Sequence, residues 1–70
     1  MGATDALVEM KNKAMRDVDA GLVLMRKHLD EYDGSERAAL ALKADGDFLR
    51  YAAHDLAQVS LALTAYGDDA

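Results

Sequence analysis

Stepping alternately by three and four residues from Val8 picks out Val8, Lys11, Met15, Val18, Leu22, Met25, Leu29 and Tyr32, a heptad in which Lys11 is the one polar position. A repeat of this kind keeps one stripe of a helix apolar, so it predicts a single helix of about four heptads over residues 5–33. Thr4 or Asp5 is the expected cap at its start, because a short side-chain oxygen there accepts a bond from an orphan backbone N–H. Gly34 is the expected stop, since glycine takes the left-handed conformation at little cost. Ser35 then offers a new cap, and Glu36 a negative charge in the next first turn, where the helix dipole favours it.

The second half is interrupted by Asp45-Gly46-Asp47, a triplet that usually marks a turn. A break there would let Asp45 or Asp47 cap a third helix, and the apolar phase before and after would have no reason to agree. It does agree: Ala38, Leu42, Asp45, Leu49, Ala52, Leu56, Val59, Leu63 and Tyr66 form one seam, with Asp45 as its single charged member. The pattern therefore predicts one long helix over about 36–66, ended by Gly67.

Two long helices joined near Gly34 define the expected fold as all-α, an antiparallel helical hairpin forming a single domain over residues 1–70. Short flexible ends are expected at about 1–4 and 67–70. A turn at Gly34 sets Gly46 level with Leu22. Small residues recur every seven positions on helix two, at Ala39, Gly46, Ala53 and Ser60, and helix one carries Ala14 and Gly21. This spacing predicts an edge along which the two backbones approach closely, with a bulky side chain at position 46 forcing them apart.

Six large apolar residues lie off both stripes: Met10, Val23, Leu24, Leu40, Phe48 and Leu61. Exposing all of them would leave an unusual patch on so short a chain, and pairing two hairpins into a four-helix bundle would cover most of it. They are the predicted partner or dimer interface, centred on Val23, Leu24 and Phe48. Composition points the same way. Seventy residues bury a modest core, and with no Cys neither a disulfide nor a thiolate zinc site can supplement it, which leaves oligomerisation as the common remedy. Hydrophobic residues make up 51% of the chain, too many for a disordered segment, and no Pro interrupts the helices.

Charge narrows the partners. The net charge of −5 repels a phosphate backbone, so no direct nucleic-acid binding is expected, whereas Asp17, Asp19, Asp30, Glu31 and Asp47 would steer toward a basic protein. No run of about 18 apolar residues occurs and the start lacks the pattern of a signal peptide, so the expected protein is cytoplasmic with no membrane contact.

Candidate chemistry adds little. No Glu has a His three positions on, as a di-iron bundle requires. His28 and His54 lie about 21 Å apart along the axis in the expected hairpin, too far to share a metal. Asp30, Glu31 and Asp33 precede Gly34 without the alternating oxygens of a calcium loop. There is no Cys nucleophile, glycine-rich phosphate loop or serine triad context, and Ser35 and Ser60 read as a cap and a packing residue. No enzymatic activity, cofactor or metal is expected. Met15 and Met25 read as core, Met10 as partner surface.

The hairpin with its turn near residues 30–35 and its Tyr66-Gly67-Asp68-Asp69 ending resembles the Rop family of small RNA-binding four-helix-bundle dimers. That resemblance implies the bundle architecture. The basic helix-one face used for RNA is not matched, because the equivalent positions read Ala3, Met10, Ala14, Val18 and Met25. Tyr32-Asp33-Gly34 and Tyr51-Ala52-Ala53-His54-Asp55 also resemble the turn and export signal of small helical hairpins of type VII secretion, although the second motif sits mid-helix here. The expected function is a small acidic protein–protein interaction module, an adaptor, regulator or assembly factor acting as a homodimeric bundle. The alternatives are an acidic inhibitor or immunity-type protein masking a basic nucleic-acid-binding partner, and a secreted hairpin of the type VII kind.

Overall fold

The computed structural model describes residues 2–68, and these form two helices, α1 over Ala3–Asp30 and α2 over Glu36–Asp68. α2 runs unbroken through Asp45-Gly46-Asp47, as the continuous phase of its seam predicts, and no third helix forms among the described residues. The glycine costs the helix about 1 kcal/mol relative to alanine, which packing over so many turns absorbs.

The ends differ from expectation. α1 starts at Ala3, so Thr4 and Asp5 sit inside its first turn and neither caps it. Gly2 holds the cap position in extended conformation without a side-chain bond, and its carbonyl accepts from the amides of Asp5 (3.1 Å) and Ala6 (3.4 Å). The helix stops at Asp30, short of Gly34, with Glu31 (φ −91°, ψ 0°) closing it through its amide to the Lys27 carbonyl at 3.0 Å. Gly34 instead supplies the left-handed step of the connection, at φ +84°. Ser35 does cap α2: its Oγ accepts from the Ala38 amide at 3.1 Å. Asp33 Oδ1 accepts from the Ser35 amide at 3.0 Å and so locks the chain entering the helix. At the far end α2 continues through Gly67 to Asp68, because glycine lowers helix propensity without forbidding helical dihedrals. Of the predicted flexible ends, residues 1, 69 and 70 lie outside the described residues.

Packing between the helices follows the expected seam on α2 and a rotated one on α1. Asp45, Ala52 and Val59 are buried and Ala38, Leu42, Leu49, Leu56 and Leu63 half-buried, whereas Tyr66 is half exposed. On α1 the inward rows are Lys11, Val18 and Met25 together with Leu7, Ala14, Gly21 and His28. Met15, Leu22, Leu29 and Tyr32, read as core from the heptad, are all exposed. The reason is steric. The leucines of α2 need flat ground opposite, and α1 provides it at Ala14 and Gly21, where a side-chain-free surface lets the helices close.

Gly21 is a point of close approach. A Cβ there would meet Leu49 Cδ2 at 2.6 Å and Cγ at 2.9 Å, whereas a Cβ at Gly46 meets nothing within 4 Å. An added methyl is thus crowded by α2 at Gly21 and has open space, within one chain, at Gly46. The register also shifts by nearly one helical turn: Gly21 faces Leu49 and His28 bonds Asp45, so Gly46 is not level with Leu22.

The result is a rod of 52 × 15 × 12 Å with a radius of gyration of 15.8 Å, against about 11 Å for a compact chain of this length. Its core is thin. The buried hydrophobic residues are Ala14, Ala52 and Val59, and no large side chain is fully buried among the described residues.

Candidate functional site

A helix that packs against one neighbour needs two apolar rows; one in the interior of a bundle carries a third. α1 carries three. Lys11, Val18 and Met25 share the hairpin seam with Leu7, Ala14, Gly21 and His28, and beside them runs a further row of Val8, Met15, Leu22 and Leu29. Val8 is half-buried, but Met15, Leu22 and Leu29 are each about half exposed, so α2 leaves most of this row uncovered.

Helical spacing places a matching row on α2. Met10, Asp17 and Asp55 line one groove between the helices together with Lys13, Gln58, Ala14 and Val59. That groove marks one flank of the hairpin. The Met15–Leu22–Leu29 row therefore lies on the opposite flank, next to Ala39, Gly46, Ala53 and Ser60 of α2. Ala39 and Ala53 are exposed, and Gly46 and Ser60 half-buried. One flank thus combines a ridge of large side chains with a trough of small ones.

The six predicted interface residues are all exposed, but they do not form one surface. Met10, Leu24 and Phe48 fall on the grooved flank, where Phe48 leans toward Gly21, its Cδ1 3.1 Å from where a Cβ would sit. Val23 (69% exposed), Leu40 and Leu61 (67%) project from the outer sides of their helices. Of the six small residues, Ala14 and Gly21 are buried in the seam, whereas Ala39, Gly46, Ala53 and Ser60 border the ridge. The Met15–Leu22–Leu29 ridge itself was not visible as a surface, because the heptad counts it as core.

The polar centre of the hairpin is a pair that spacing alone did not reveal. Asp45, 7% exposed, accepts from His28 Nδ1 at 2.5 Å across the seam. Each residue stands in the seam row of its own helix, so the correct register would have pointed to it. No buried side-chain polar atom among the described residues lacks a partner. His54 is exposed, and the described residues contain no group of three or more side chains able to hold a metal.

The acidic surface is broken up locally. Asp17 pairs with Lys13 (2.7 Å), Asp30 with Arg26 (3.2 Å), and Asp47 with Lys43 (3.2 Å) and Arg50 (3.8 Å). Such exposed pairs within a helix add little stability, about 0.3–0.5 kcal/mol each, but they cancel the field of three of the five acids expected to steer a partner. Arg50 also lies over the Tyr51 ring, 5.3 Å from its centroid. No described helix is long and apolar enough to cross a membrane. No protein-family model, no curated protein sequence and no solved structure matches this chain.

Proposed function

We propose that the protein is a small interaction module, an adaptor, regulator or assembly factor, whose working form is a homo-oligomeric helical bundle. The observation that carries this reading is the third apolar row of α1, which the hairpin leaves in water. A chain of 7.6 kDa folded into a globule exposes about 4,300 Å², whereas this one exposes 5301 Å². The excess, about 1,000 Å², is comparable to the ~800 Å² that each partner buries in an ordinary stable interface. Hydrophobic burial is the main favourable term in association, and a chain with so thin a core gains from it directly.

Sedimentation equilibrium of the purified chain tests the reading. The expected mass is a multiple of the monomer at micromolar concentration. A monomer up to hundreds of micromolar would end it.

A further inference from the structure

We infer that a second copy of this chain docks on one particular flank of the hairpin, the one formed by Met15, Leu22 and Leu29 of α1 and by Ala39, Gly46 and Ala53 of α2. The inference rests on the oligomeric reading above and specifies its contact. Three observations converge on a second copy as the occupant.

The first is shape. A two-fold dimer presents the same patch from both sides, so the patch must complement itself. This flank does: a ridge of half-exposed large side chains runs beside a line of small residues, and turning one copy over its twin sets each ridge on the other's trough. The grooved flank lacks this property: the Lys13–Asp17 ion pair and Asp55 lie in it, and a two-fold contact there would take these charges out of water.

The second is Gly46. Glycine in a helix interior is unfavourable relative to alanine, and nothing in its own chain occupies the space a Cβ would fill. Close approach of another helix at this point supplies the reason that the hairpin does not. The third is area. The surface in excess of a globule matches one side of a stable dimer, and Met15, Leu22 and Leu29, each about half exposed, contribute to it in one row.

Docking there makes a four-helix bundle in which α1 of each copy packs on two neighbours, which covers its three rows. Val23, Leu40 and Leu61 stay outside, and Met10, Leu24 and Phe48 remain on the far flank.

The test compares Leu22→Asp with Leu24→Asp by sedimentation, against wild-type chain. Neighbours in sequence, they point to opposite flanks. Leu22→Asp buries a carboxylate twice per dimer and is expected to weaken association more than about a hundredfold; Leu24→Asp is expected to leave the dimer intact. The reverse result would overturn the assigned flank while leaving the oligomeric reading in place, and a monomeric wild type would remove both. A gentler measurement guards against unfolding of the variants. In single Ala53→Cys and Asp55→Cys chains, alkylation of the first thiol should slow at least tenfold on raising concentration through the association range, and the second should not change. Equal alkylation rates for the two would also overturn the flank.

Discussion

His28 Nδ1 and the Asp45 carboxylate meet at 2.5 Å across the hairpin, joining the last turn of α1 to the second quarter of α2 at the one buried charged position among the described residues. Removing one partner leaves the other without its bond. His28→Ala is expected to destabilise the chain by about 1–3 kcal/mol, because Asp45 is then buried and unsatisfied. Replacing both by leucine should be close to neutral or stabilising. Urea unfolding of His28→Ala, Asp45→Ala and the double leucine variant checks this. A double variant as unstable as the singles would show that packing around the pair, and not its hydrogen bond, carries the effect.

In the dissociated hairpin, Gly21 and Gly46 should respond to alanine with opposite signs. At position 46 the added methyl meets open space, and alanine's helix propensity should stabilise by about 1 kcal/mol. At position 21 it collides with Leu49, and overpacking of about 1–3 kcal/mol outweighs that gain. Below the association range thermal melting should rise for Gly46→Ala and fall for Gly21→Ala, whereas within it the helix docked at position 46 should offset the Gly46→Ala gain. Gly46→Leu, by contrast, is expected to keep its helicity and lose its dimer mass.

The connection predicts a cap effect and a titration. Ser35→Ala removes the oxygen that accepts from the Ala38 amide and should cost about 1 kcal/mol. The Ser35 hydroxyl, and then its amide, hold the Asp33 carboxyl below its ordinary value of 3.8. A carboxylate depressed on folding contributes stability above its unfolded value and loses it as pH falls through the folded one. The loss attributable to Asp33 therefore lies below pH 3.8. Carbon-detected NMR titration should place the Asp33 midpoint under that value, and Ser35→Ala should raise it.

Melting should also depend on concentration. An oligomer gains stability by mass action, so the midpoint is expected to climb with each tenfold rise in chain concentration. A constant midpoint from 1 to 100 µM, taken as rough working limits, would indicate that the hairpin stands alone.

What the sequence determined unaided is what repeats locally. Apolar residues every three and four positions made two helices and carried α2 past Gly46; Ser35 and Gly34 placed the connection through hydrogen bonding and a positive φ that neighbouring residues alone decide. Even the inward row of α2, Asp45 included, was legible. The tertiary structure decided the rest. α1 has three adjacent apolar rows, burial has no directional preference among them, and only the leucines arriving from α2 selected the pair with Ala14 and Gly21 in it. That choice depends on residues more than twenty positions away. It turned Met15, Leu22 and Leu29 outward, and it brought His28 to Asp45.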